Sequence, residues 1–93
     1  MAISVIVPNA LTPYTRGVGT LVVSEPCSTV ADALAAVASR LPALTDRVLT
    51  EQGEIRRHVN VFVGEESVKF LDGLETRIED GTTITIVPAV SGG

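Results

Sequence analysis

The sequence predicts an α+β domain: a mixed sheet of four to five strands with one main helix packed on one face. Three observations lead there. Residues 2–7 (A-I-S-V-I-V), 58–63 (H-V-N-V-F-V) and 83–87 (T-I-T-I-V) are rich in β-branched side chains that alternate between two faces. Val30, Leu34, Val37 and Leu41 recur at spacings of four, three and four, the repeat of an amphipathic helix. Strands therefore precede and follow a single helix, and neither a lone helix nor a one-sided sheet can bury its apolar side except against the other.

The first strand, residues 2–7, stops at Pro8 and puts Ile3, Val5 and Val7 on one face. Residues 8–18 carry Pro8, Asn9, Pro13, Arg16 and Gly17 and read as a loop too long for a tight hairpin. It returns the chain to a second strand at 19–24, antiparallel to the first. Thr29 and Asp32 have the spacing of a capping box and open a helix over 30–41. Pro42 disfavours helical backbone at Leu41 and ends that helix, and 43–49 reads as a further short turn or helix. The third strand, 58–63, places Val59, Val61 and Val63 inward and Asn60 and Phe62 outward. Gly64-Glu65-Glu66 turns the chain into a short edge strand near 67–70, and Asp72-Gly73 and Asp80-Gly81 mark further turns. In the last strand Ile84 and Ile86 face inward, Thr83, Thr85 and Val87 outward, and the strand ends at Pro88.

A chain of 93 residues has material for one core, expected over 1–88, followed by a flexible tail at 89–93. Hydrophobic residues at 45% against 19% charged are enough to fill that core and exclude a disordered chain. Aromatic residues are only 3%, so there is no platform for stacking bases, and a net charge of -4 repels phosphate backbones. Nucleic acid is excluded as a partner on these grounds. The single cysteine, Cys27, cannot form an internal disulfide, which suits a reducing compartment. No basic, apolar leader opens the chain and no run approaches the roughly 18–20 apolar residues of a membrane span. The expectation is a soluble cytoplasmic protein that does not contact a membrane.

Conventional catalytic sets are missing. His58 and Cys27 are each the sole residue of their type, and nothing ties them into a nucleophile and base. His58 reads as a strand-end histidine and Cys27 as a small apolar residue near the helix start. No Cys and His spacing suggests a metal site. Gly17-Val18-Gly19 lacks the further glycines and the following helix of a phosphate loop. Arg56-Arg57 reads as solvated surface. What remains is the C-terminus: from Gly81 to Gly93 there is no charged side chain, and after Pro88 the chain runs A-V-S-G-G. Without Cβ atoms, Gly92 and Gly93 fit a narrow channel and leave the terminal carbonyl open to attack. A carboxylate is a poor electrophile, so chemistry at Gly93 requires activation by a partner.

These residues resemble a known group. The loop V-P-N-A-L-T-P-Y-T-R-G at 7–17, R-R-H-V-N-V-F-V-G-E-E-S-V at 56–68, L-D-G-L-E-T-R-I-E-D-G at 71–81 and the ending I-V-P-A-V-S-G-G at 86–93 are similar to the ubiquitin-like sulfur carriers of the ThiS/MoaD group, in particular its cysteine-biosynthesis branch. The resemblance implies a β-grasp fold, with the last strand in the sheet centre beside the first. It implies no bound cofactor and no activity of the chain alone, which would be a protein co-substrate. An E1-like adenylyltransferase/sulfurtransferase would use ATP to adenylate Gly93 and replace one oxygen by sulfur, recognising the tail through Gly92, Ser91 and Val90. In the cysteine route a pyridoxal-phosphate-dependent synthase would accept the sulfur and a metalloprotease would release cysteine. Ser91 departs from the alanine that relatives often carry, and a small polar residue there still threads. Thiamin, molybdopterin and thio-sugar routes use the same kind of tail, the choice lying with partner enzymes.

Phe62 and Val87 fall on the outward face among Asn60, Thr83 and Thr85, and such exposed apolar residues are candidates for docking the activating enzyme. Two other readings stay open: a ubiquitin-like covalent modifier joined to lysines through the same glycine, and a non-catalytic β-grasp interaction module whose tail is idle.

Overall fold

The computed structural model describes residues 2–88. Five strands form one mixed sheet: β1 (Ile3–Ile6), β2 (Thr20–Val23), β3 (Val59–Val63), β4 (Glu66–Ser67) and β5 (Thr83–Pro88). Two helices, α1 (Val30–Arg40) and α2 (Pro42–Val48), follow β2. The order across the sheet is β2-β1-β5-β3-β4, with β5 parallel to β1 and antiparallel to β3. The last strand is therefore central and beside the first, as the resemblance implied.

The predicted alternation holds where it matters most. Ile3, Val5 and Val7, then Val59 and Val61, then Ile84 and Ile86, are buried on one face against Val30, Ala33, Leu34 and Val37 of α1. Val63 differs from expectation in being only half-buried, at the strand end where the chain turns. The α1 start is a complete capping box. Thr29 Oγ1 accepts from the Asp32 N–H at 3.2 Å, while Asp32 Oδ2 accepts from the N–H groups of Ser28 at 2.9 Å and Thr29 at 3.1 Å. The same end is pinned to the segment before β5, since the Val30 N–H donates to the Thr76 carbonyl and the Ile78 N–H to the Ser28 carbonyl, both at 3.0 Å.

α1 ends at Arg40 rather than Leu41. Leu41 precedes a proline and leaves the helical region at φ -133°, ψ 68°, although its N–H still reaches the Val37 carbonyl at 2.7 Å. Pro42 then opens α2 in the first-turn position where its missing N–H is not needed. Two sequence assignments need correction. Residues Asn9–Thr15, expected as loop, form a 3-10 run, closed by the Thr15 hydroxyl donating to the Val18 carbonyl at 2.5 Å and by Gly17 at φ 85°. Arg47 of α2 lies over the Tyr14 ring at 4.8 Å and fastens that run to the helical layer. The edge strand expected near 67–70 is only Glu66–Ser67; Val68 turns inward to be buried, and Val68–Phe70 becomes a single 3-10 turn.

β5 extends one residue further than expected, to Pro88, which lies opposite Val59. The register explains why a proline is tolerated. Gly64 N–H donates to the Thr83 carbonyl, so odd-numbered residues of β5 face β3 and the proline nitrogen faces the other side, past the end of β1 at Ile6.

Thr29→Ala should lower stability by about 1 kcal/mol, read from the urea midpoint. Backbone donors at Ser28 and then Thr29 hold the Asp32 carboxyl below its ordinary value. Asp32 is thus more acidic folded than unfolded, and its contribution is complete above the ordinary carboxyl range near pH ~4 and lost as pH falls through the lowered value. The stability gap between the wild-type chain and Asp32→Ala should accordingly be full at pH 7 and shrink progressively below about pH 4.

Candidate functional site

Val90, Ser91, Gly92 and Gly93 lie outside the described residues, so the structure speaks to the place from which the tail departs. That place is fixed from both sides. β5 is bonded to β1 and β3, Ile84 and Ile86 anchor its inner face, and Pro88 opposite Val59 is the last described residue. The segment after Pro88 therefore starts from the most firmly held strand of the sheet.

The face opposite the helices is open. Register aligns Thr20, Ile6, Thr85 and Phe62 in one row across β2, β1, β5 and β3, and puts Val87 opposite Asn60. Phe62 and Val87 are consequently diagonal neighbours on that face, close enough for a large side chain to bridge. Val87 is 37% exposed, whereas Phe62 is half-buried rather than fully outward. Asn60, Phe62 and Phe70 line a shallow groove together with Glu65, Glu66 and Lys69. Phe70 is the residue that sequence reasoning missed. It is 86% exposed, by far the barest large apolar side chain among the described residues. Its signal was weak, since an aromatic in S-V-K-F reads as strand until burial of Val68 turns the chain and throws Phe70 outward.

The remaining polar residues do not assemble a catalytic set. His58 is exposed, and Arg56 is occupied, its Nε–H donating to the Asp46 carbonyl at 2.8 Å. Cys27 is half-buried against the core, with its Sγ–H directed to the Glu25 carbonyl at 3.3 Å. Burial first, then the nearby negative charges of Asp32 and Glu25, pushes its thiol above the ordinary range. It is a protonated thiol at neutral pH and a poor nucleophile. Among the described residues no helix is long and apolar enough to cross a membrane.

A model of the ThiS family matches residues 5–93. The chain belongs to the ThiS family. This ThiS-family chain is 37% identical over 99 aligned residues to "Sulfur carrier protein CysO" of Mycobacterium tuberculosis, covering all of both chains. It is 36% identical over 66 residues to "Small archaeal modifier protein 3" of Haloferax volcanii, covering 71% of each. The crystal structure of the Amycolatopsis orientalis BexX/CysO complex contains a chain that matches it with a TM-score of 0.87 and 36% identity, over 99% of this chain and 100% of that one. The ThiS-family fold is thus the β-grasp fold expected from the sequence.

Cys27 in the native protein should react with iodoacetamide more slowly at pH 7 than a free cysteine does, with the rate continuing to climb above pH ~8.5. Reaction timed by mass spectrometry checks this.

Proposed function

We propose that this chain is a sulfur carrier whose working group is the carboxylate of Gly93. The observation that carries the reading is the match to sulfur carriers along the whole chain, which runs through Gly93. The chain is a carrier rather than a catalyst. An E1-like partner attacks ATP with the Gly93 carboxylate, pyrophosphate leaves, and a sulfur nucleophile then displaces AMP from the acyl adenylate to give the thiocarboxylate. ATP belongs to that partner and not to this chain. The most suitable outlet is cysteine formation, with a pyridoxal-phosphate-dependent synthase as acceptor and a metalloprotease releasing the product, in a cytoplasmic setting.

Physical features of this chain suit that role. A charge-free run from Gly81 to Gly93 leaves the terminal carboxylate as its one charged group, and Val90, Ser91 and Gly92 are small enough for the partner to read in a narrow channel. Rigid anchoring at β5 limits the freedom lost when a partner takes hold of the tail. Phe62 and Val87 on the open face are where the activating enzyme docks, and Phe70 extends that apolar surface. The modifier relative favours a second use of the same activated glycine, conjugation to a lysine.

The carrier, incubated with ATP, a sulfide source and a cognate activating enzyme, should gain the mass difference of sulfur for oxygen, and a variant lacking Gly93 should not. Lysine conjugates without a thiocarboxylate would replace the carrier reading by the modifier one. Phe62→Asp should fold, with an unchanged far-ultraviolet circular dichroism spectrum, yet be activated at least about tenfold more slowly, the loss of a single central apolar contact. An unchanged rate would remove Phe62 from the docking surface.

A further inference from the structure

The two edges of the sheet are protected in different ways. β4 is two residues long and bears Glu66 next to Glu65, so shortness and charge discourage another strand from pairing there. β2 has neither defence in its own sequence. From Gly19 to Ser24 it reads G-T-L-V-V-S, with no charge and no proline, and Val22 is 52% exposed.

The register shows which backbone groups of β2 are open. Val7 N–H donates to the Gly19 carbonyl at 2.8 Å, so odd-numbered residues of β2 bond β1 and the N–H and C=O groups of Thr20 and Val22 point to the free side. A side chain occupies one of them, the Val22 carbonyl. Arg40, the last residue of α1, donates from Nη1 to the Val22 carbonyl at 3.0 Å and from Nη2 to Glu25 Oε1 at 2.6 Å. Glu25 holds the guanidinium over the edge from the loop just beyond β2, and both side chains are about half exposed, at 49% and 48%.

We propose that the β2 edge is a strand-addition surface for a second copy of this chain, held closed by Arg40 with Glu25 as its support. The geometry points to one pairing. An antiparallel two-fold centred on Leu21 places Thr20 of each copy opposite Val22 of the other, so that all four open backbone groups of each strand find partners and β-branched side chains pair across the seam. That register also carries Glu25 of one copy to Gly17 of the other, next to the second copy's Arg16, so opposite charges meet at both ends despite the net charge of -4 per chain. The result is one continuous ten-stranded sheet. The pairing requires the Val22 carbonyl, which Arg40 occupies, and release of Arg40 both frees that acceptor and frees Glu25 to meet Arg16. Docking on the open face near Phe62 and Val87 uses a different surface, on the other side of β1 and β5.

Sedimentation velocity of the full chain over a concentration series tests this. The wild-type chain is expected to remain monomeric. Arg40→Ala and Arg40→Gln are expected to sediment increasingly as a species with the mass of two chains, with the amides of Thr20 and Val22 gaining protection from hydrogen exchange. Adding Val22→Lys to Arg40→Ala, a charge on the seam that leaves the β1 ladder intact, should restore the monomer. Gln at position 40 keeps most of the aliphatic stem, so it reports even if the Ala variant fails to fold. Monomers in every folded Arg40 variant overturn the proposal, as does a wild-type chain already dimerised through β2 or a variant dimer that Val22→Lys leaves intact.

Discussion

Insertion of β5 between β1 and β3 is the constraint on which the rest of the structure depends. Val5, Ile84 and Val61 lie in three adjacent strands and are essentially inaccessible to solvent, and Leu34 of α1 packs in the same cluster. Without β5, β1 and β3 have no bond to each other, and the sheet falls into two hairpin-like pieces. Burial of even one of these side chains contributes roughly 1.5–3 kcal/mol. The centre of the sheet is therefore where alternation in the sequence is most regular and where the structure follows it most closely.

That arrangement divides labour between the two faces. The inner face, Ile, Val and Leu throughout, carries the stability. The outer face mixes Ser4, Asn60, Thr83 and Thr85 with a few apolar side chains, Ile6, Phe62 and Val87, whose loss to a partner would cost the core little. A surface can then change its contacts without unsettling the layer that fixes the direction of β5. The hydrogen bonds joining α1 to residues 76–78 serve the same end, since they hold the approach to β5 against the helix that covers it.

Much of this was legible in the residues. The Thr29 and Asp32 pair announced the start of α1, and Pro42 its end, because each acts through local backbone chemistry that tertiary structure has no reason to override. The alternation of Val59 to Val63 and Thr83 to Val87 gave the faces. What was not legible depended on competition between local and distant demands. Pro8, Asn9, Pro13 and Gly17 are loop residues by composition, yet Thr12 and Thr15 hydroxyls bond carbonyls within the segment and wind it into a 3-10 run. Val68 looked like strand and was drawn to the core instead, which exposed Phe70. The Arg40 contact with Val22 spans a sequence separation of 18 and leaves no local pattern to read. Residues 89–93 lie outside the described residues, so the reading of the tail rests on its sequence.

The central place of β5 also bears on the life of the chain as it is made. The pairing of Val5 with Ile84 joins segments separated by most of the sequence, a closure that comes late and slowly compared with helix formation. Until residues 83–88 emerge, β1 and β3 each present a bare hydrogen-bonding edge, the condition that proteases and aggregation exploit. A nascent chain cut short before β5 would remain in that vulnerable state. Completion of the sheet thus waits for nearly the whole chain, so a molecule that survives as a folded protein has been made at least through β5.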